Sequence, residues 1–186
     1  MEKQREKAII INIHPSGEKN LVVKAISEES GKLVLFAAQA KNSTKRFGKI
    51  DLFDWGMIEY HSGKGNLLIL DSFKSISSFP ELRSNFQKII TASCFLEIID
   101  KICPEQDPNS PEFYKSLLEL ISALNKDVSK EEQKKTLRMI FFSGLSKIIN
   151  LEEEFKQPTI SLYLNTITKH HGIQLKSYEE LRKVLT

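Results

Sequence analysis

Apolar positions recur at strand period in the first part of the chain and at helix period in the second. Residues 8–14, AIIINIH, form a β-branched run suited to a buried, pleated position. Pro15-Ser16-Gly17 breaks it. Leu21 to Ile26 predict a second strand, Ser30-Gly31 a turn, and Lys32 to Ala40 a third strand. Beyond a polar loop, Leu52 to Tyr60 predict a fourth strand, in which Gly56 marks a bulge or bend. His61 to Asn66 is a turn cluster, and Leu67 to Ile76 the fifth strand. Short strands of this number, with turn signals and no helical period between them, predict a small antiparallel barrel or sandwich. A five-stranded Greek-key barrel of the OB type, which binds oligonucleotides, fits the count.

The period then changes. Phe79-Pro80-Glu81 opens a helix, with Pro80 in the first turn, where its missing N–H does no harm. Phe86, Ile89, Ile90, Phe95, Leu96, Ile98, Ile99 and Ile102 give it a broad apolar face to about Cys103, before Pro104. A second helix runs from Pro111 to about Leu124 on Phe113, Leu117, Leu118, Leu120, Ile121 and Leu124. Ser129, with Glu132 three residues on, predicts a capping box for a third helix, which reaches about Asn150. Thr159 to His171 predict a fourth, stopped by Gly172. Ser177 with Glu180 predicts a capped fifth. The expected class is α+β: a five-stranded OB-type barrel over residues 1–78, followed by an all-helical domain over 79–186.

Charge sharpens this division. Residues 1–78 hold 12 Lys/Arg against 9 Asp/Glu, and residues 79–186 hold 15 of each, so the whole excess of +3 sits in the barrel part. Lys32, Lys41, Lys45, Arg46 and Lys49 fall within one segment that has no acidic residue. A strand feeding a one-sign cationic loop suits a polyanion, with a solvated hairpin loop as the plainer account. Two aromatics lie near this charge. Phe36 sits in the strand and is expected in the core; Phe47 sits in the loop and is the better candidate for stacking a base.

Other chemistry is sparse. There is no phosphate-binding glycine motif, no H-E-x-x-H and no G-x-S-x-G. His14, His61, His170 and His171 are scattered, and Cys94 and Cys103 lack metal-ligand spacing, so no metal, cofactor or catalytic group is expected. The cysteines suit buried free thiols of a reducing cytoplasm. No apolar run is long enough to span a bilayer, and the charged start MEKQREK has no signal-peptide core, so no membrane association is expected. On the third helix, Lys134, Lys135, Arg138 and Lys147 accompany Leu137, Phe141 and Leu145. This combination suits either a bundle helix with a solvated face or a groove for an acidic, hydrophobic-tipped peptide.

Several short stretches carry a resemblance. Ala8-Ile9-Ile10, Gly17-Glu18, Leu21-Val22-Val23, Ser30-Gly31-Lys32 and Ala40-Lys41 are similar to the opening of the bacterial recombination mediator RecO. So are Phe79-Pro80-Glu81-Leu82-Arg83, Ala92-Ser93 with Glu97, and, near the end, Tyr163-Leu164, His171-Gly172, Leu175-Lys176-Ser177 and Leu181. The similarity lies in their order and in the switch from strands to helices. Two departures stand out. Asn150 to Pro158 is short and holds no cysteine, where many members carry paired C-x-x-C ligands for a structural zinc. Ala40-Lys41-Asn42 replaces the family's glycine and arginine pair after the third strand.

The resemblance implies a cytoplasmic, nucleoid-associated protein of recombinational repair by the RecF pathway, and not an enzyme. It implies binding of single- and double-stranded DNA, annealing of complementary strands, loading of RecA together with RecR, and contact with the C-terminal tail of single-stranded DNA-binding protein. On this reading the DNA site is Lys32, Lys41, Lys45, Arg46, Phe47 and Lys49, and the tail site is Lys134, Lys135, Leu137, Arg138 and Phe141. Competing readings are an RNA-binding barrel with a helical appendage and a protein–protein adaptor that binds no nucleic acid.

Overall fold

A computed structural model describes residues 3–106, 110–127, 130–149, 165, 168–169, 171–172 and 174–185. The strands are β1 (Lys3–Ser16), β2 (Asn20–Ser27), β3 (Gly31–Ala37), β4 (Trp55–Ser62) and β5 (Leu68–Ser77), with a one-turn helix α1 (Thr44–Phe47) between β3 and β4. They close a barrel in the order β1-β2-β3-β5-β4. All neighbours are antiparallel except β3 and β5, which meet in parallel at Leu35↔Leu68 and Phe36↔Ile69. Helices follow: α2 (Pro80–Arg83), α3 (Phe86–Ile102), α4 (Ser110–Leu124), α5 (Lys130–Ile149) and α6 (Tyr178–Leu185). The OB-type barrel followed by helices, expected from the period change, is the architecture found.

Strand alternation fills the barrel. Ala8, Ile10, Val23, Ala25, Leu33, Leu35, Ala37, Ile58, Tyr60, Leu70 and Phe73 point inward and form its core. β1 begins at Lys3, earlier than its apolar run, because its charged first residues pair with β4 from Lys3↔His61 to Ile9↔Trp55. A bulge between Ile10 and Asn12 bends β1 as it passes from β4 to β2. Gly56 lies at a register shift in β4, and a Cβ there would stand 2.4 Å from the Lys74 carbonyl oxygen.

One row of outward residues is covered as well, with Ile9, Ile26 and Lys32 buried and Trp55 half-buried. Trp55, Ile9, Ile26 and Lys32 lie side by side across β4, β1, β2 and β3. The segment Cys103–Lys115 belongs to the same compact unit as the barrel and bonds to both ends of this row. Its Tyr114 hydroxyl accepts the Trp55 indole N–H at 2.9 Å, and the Gln106 N–H donates to the Lys32 carbonyl at 3.2 Å. That cover explains the unbroken isoleucine run of β1, since Ile9 and Ile10 are both fully buried although they point to opposite faces.

The chain forms two compact units: Met1–Ser78 with Cys103–Lys115, and Phe79–Ile102 with Ser116–Thr186. In the second, the expected single helix from Phe79 is broken. α2 stops after one turn, and the Asn85 side chain accepts the Gln87 and Lys88 N–H groups at 3.0 and 3.2 Å, starting α3 afresh. Phe86, assigned to the apolar face, is 66 % exposed as a result of this restart. Phe95, Ile98, Ile99, Leu117, Ile121, Phe141 and Leu145 are buried. Gly144 on α5 permits close packing, since a Cβ there would meet Leu120 and Phe95 at 2.7 and 2.8 Å.

The start of α6 also differs from expectation. Ser177 makes no capping box with Glu180, which pairs with Lys183. Instead Glu97 on α3 accepts the Lys176 N–H, the Ser177 N–H and the Ser177 hydroxyl at 2.7, 3.0 and 2.6 Å. Burial alone raises the Glu97 carboxyl, but these donors outweigh it and hold the group below its ordinary value. The Ser129 cap, the segment Asn150 to Pro158 and most of the expected helix Thr159 to His171 lie outside the described residues; Asn165, Thr168, Lys169 and His171 are helical.

Candidate nucleic-acid interface

β3 ends at Ala37, three residues earlier than its apolar run predicts. Gln39 turns into the left-handed region, with φ of 56°, and its N–H donates to the Asn20 side chain at 2.9 Å. The chain then makes the single turn of α1. Phe47, at the end of that turn, is 1 % exposed and packs in the barrel core, with Ala40 in the same cluster. The expectation that Phe47 stacks a base is therefore corrected: one helical turn swings the ring inward, and a buried phenyl fills the barrel rather than meeting a ligand.

The cations around it stay outside. The Arg46 guanidinium lies 4.9 Å from the Phe47 ring centroid and donates to the Ala38 carbonyl at 2.8 Å and to the Ser43 hydroxyl at 3.2 Å. Lys41 donates to the Gly17 carbonyl at 3.1 Å, tying the loop to the β1–β2 turn. Neither carbonyl carries net charge, so both residues are positioned and remain cationic. Lys45 is exposed and has no hydrogen bond or ion pair among the described residues. Lys49 approaches Asp51 at 3.9 Å with its side chain 90 % exposed, a pairing too open to bind the charge up. Lys32 does not join them. It is 8 % exposed, within the row covered by Cys103–Lys115. Sequence reasoning grouped it with the loop by proximity along the chain, whereas its register beside Ile26 takes it to the opposite end of β3.

The rest of the barrel surface near the loop was less legible. Lys19 lies in the β1–β2 turn, and its carbonyl accepts the Lys41 N–H at 3.1 Å. Phe36, expected in the core, points outward from β3 and is half-buried. Its alternation with the core residues Leu35 and Ala37 is the signal that places it there.

On α5, Lys134, Lys135, Arg138, Met139 and Phe142 line a surface cavity of about 490 Å³. The three predicted cations are thus brought together. Leu137 and Phe141 are not part of it: they are 2 % and 0 % exposed and face the helical core, where Phe141 meets Phe95 edge to face at 6.3 Å. Met139, 63 % exposed, is the apolar wall that sequence reasoning missed. It also borders a second cavity of about 300 Å³ against α4, with Leu120, Ala123, Ile140 and Gly144.

Residues 1–79 match the sequence model of the family described as recombination protein O, N terminal. The N-terminal domain belongs to the RecO family. The chain is similar to the DNA repair protein RecO of Exiguobacterium sp., 30 % identical over 123 residues, which cover 66 % of this chain and 49 % of that protein. It is similar to the RecO of Shouchella clausii, 31 % identical over 106 residues, covering 56 % of this chain and 41 % of that one. The RecO of Syntrophobacter fumaroxidans is 32 % identical over 128 residues, covering 68 % and 50 %. The chain thus spans about half the length of the RecO relatives it matches. The RecO N-terminal match contains the barrel and the cationic loop and ends at Phe79, the residue before α2. Among the described residues, no helix is long and apolar enough to cross a membrane, and no three His, Cys, Asp or Glu side chains are grouped to hold a metal.

Proposed function

We propose that the barrel binds single- and double-stranded DNA through phosphates and that the chain serves recombinational DNA repair in the cytoplasm. The observation that carries this reading is the loop between β3 and β4. α1 commits its aromatic residue to the barrel core and leaves Lys45 and Arg46 outside, with Lys41 and Lys49 on either side. Fixed charges of one sign hold phosphates of any sequence and release counterions on binding. Neutralising phosphates also lowers the repulsion between two strands, which favours annealing. The name carried by the relatives, DNA repair protein RecO, supports the same pathway.

Kinship with RecO extends the proposal to two partners: RecR, acting with this protein to load RecA, and the acidic tail of single-stranded DNA-binding protein. For the tail, the cavity on α5 offers Arg138 for a terminal carboxylate, Lys134 and Lys135 for acidic side chains, and Met139 and Phe142 for an apolar tip. A strand-annealing assay with naked and protein-coated complementary strands tests the reading. Acceleration of annealing under both conditions is expected; no acceleration of either would overturn it.

A further inference from the structure

The barrel unit carries a cavity of its own, at the end remote from the cationic loop. β2 starts beside that loop, where the Asn20 side chain accepts the Gln39 N–H, and ends at Ser27. The turn that follows β2 borders a cavity of about 420 Å³ through Glu29 and Ser30. Tyr60 lines it from β4, Leu33 and Leu68 supply its apolar wall, and Gln4, Ser62 and Gln106 stand at its exposed rim. Among the described residues, none of its lining side chains is cationic.

The polar groups here are set to accept. Tyr60 gives its proton to Glu6, so its oxygen takes the Ser30 hydroxyl proton at 3.0 Å and leaves the Ser30 oxygen with free lone pairs. Glu28 is paired with Lys7 at 3.6 Å, whereas Glu29 makes no ion pair among the described residues. The Glu29 charge is felt inside: burial, then Glu6, then Glu29 hold the Tyr60 hydroxyl above its ordinary value. At the rim, Gln106 sits in the left-handed region with φ of 54°, pinned by its N–H bond to the Lys32 carbonyl. A non-glycine residue keeps that conformation only where its surroundings impose it.

We infer that this cavity takes an arginine side chain presented by a partner protein. The inference depends on neither the cationic loop nor the cavity on α5. Charge and shape select the occupant. A guanidinium offers five donors in a plane, is weakly hydrated, and keeps its charge while partly buried. Glu29 supplies the opposite charge, and Ser30, Tyr60 and the rim amides accept the remaining donors. Leu33 and Leu68 suit the methylene stem. Other ligands fit less well. Glu29 and the buried Glu6 repel phosphate. Calcium or magnesium would want more carboxylate than the single one lining the cavity. A lysine ammonium is a strongly hydrated point charge and cannot use acceptors spread over several strands.

The test titrates the protein with three short capped glycine peptides, each with one central residue: arginine, lysine or citrulline. The Ser30 and Gln106 amide signals are followed by NMR. The arginine peptide should shift both signals and bind at least tenfold more tightly than the lysine peptide. Citrulline has nearly the same shape without the charge, and its peptide should shift neither signal up to about 10 mM. Glu29→Gln should weaken the arginine peptide at least tenfold. It should melt as wild type does, because the Glu29 side chain makes no hydrogen bond or ion pair among the described residues. No shift with the arginine peptide at about 10 mM overturns the inference. Equal binding of the arginine and lysine peptides, or wild-type affinity in Glu29→Gln, also overturns it. A single-stranded oligonucleotide that shifts the same two signals and displaces the arginine peptide assigns the cavity to nucleic acid instead.

Discussion

The Tyr60 hydroxyl donates a 2.6 Å hydrogen bond to the Glu6 carboxylate across 54 positions of sequence, joining β4 to the first half of β1. Glu6 is 6 % exposed, and the N–H groups of Glu29 and Ser30, in the β2–β3 turn, donate to its other oxygen at 2.9 and 3.0 Å. The Ser30 hydroxyl lies 3.0 Å from the Tyr60 oxygen and closes the network. Burial alone raises the Glu6 carboxyl; the donors outweigh it and hold the group below its ordinary 4.5. Tyr60 is driven well above its ordinary value by burial and then by the carboxylate it faces.

A carboxyl depressed by folding stabilises the protein above its unfolded value and loses that contribution as pH falls through the folded one. Thermal melts should therefore show a decline in Tm that begins below about pH 4.5 and continues downward. Glu6→Gln should cost about 1–3 kcal/mol at neutral pH, because an amide cannot accept from all three donors at once. The cost should shrink as pH falls. A variant whose deficit is the same at pH 7 and pH 3 would separate Glu6 from the acid response.

Gly56 has no room for a side chain. A Cβ would stand 2.4 Å from a backbone oxygen of β5 and 2.7 Å from the Phe73 ring, and the backbone cannot yield without breaking the pairing. Gly56→Ala should destabilise the barrel by about 1–3 kcal/mol or more, read by urea unfolding. Wild-type stability would mean that the β4–β5 contact is looser than this.

The two thiols should be silent. Cys94 is fully buried, and burial pushes its thiol up to about 12; Cys103 is 1 % exposed. A thiol reagent at pH 8 should label neither in the native protein and both in denaturant. Fast native labelling of Cys94 would contradict the packing of α3, and of Cys103 the burial of the segment that follows it.

Residues on α5 should divide by face. Arg138→Glu should reduce binding of an acidic peptide ending in phenylalanine by at least tenfold and leave oligonucleotide binding unchanged. Leu137→Ala and Phe141→Ala should instead destabilise the fold by about 2–5 kcal/mol, because both side chains lie in the helical core. If Arg138→Glu binds the peptide as wild type does, the cavity beside it has another use.

Strand and helix periods were legible because each element buries one regular face, and the barrel and its helices followed from them. Residues whose direction depends on a turn were not. Phe47 lies in a polar stretch, and only the single turn of α1 aims it into the core. Lys32 shares an acid-free stretch of sequence with a solvated loop, yet a segment some 70 positions later covers it, and long-range cover leaves no local mark. Ser84-Asn85 did carry a signal, an N-cap residue inside an apolar helical pattern, but the strength of the pattern around it hid the break. For the α5 cavity, the cations were legible by type and spacing. Met139 was not, because a methionine within an apolar helical pattern looks like a core residue in sequence, although it is exposed.

The central claim, phosphate binding by the loop between β3 and β4, is tested most directly by the salt dependence of oligonucleotide binding to wild type and to Lys45→Ala with Lys49→Ala. These two lysines carry no structural hydrogen bond, so the fold should be untouched. Log affinity should fall linearly with log salt, and the double variant should weaken binding to all sequences alike. On single strands its slope should be shallower by about 0.7 for each phosphate that is no longer neutralised. A double variant with the wild-type slope and affinity would contradict the claim.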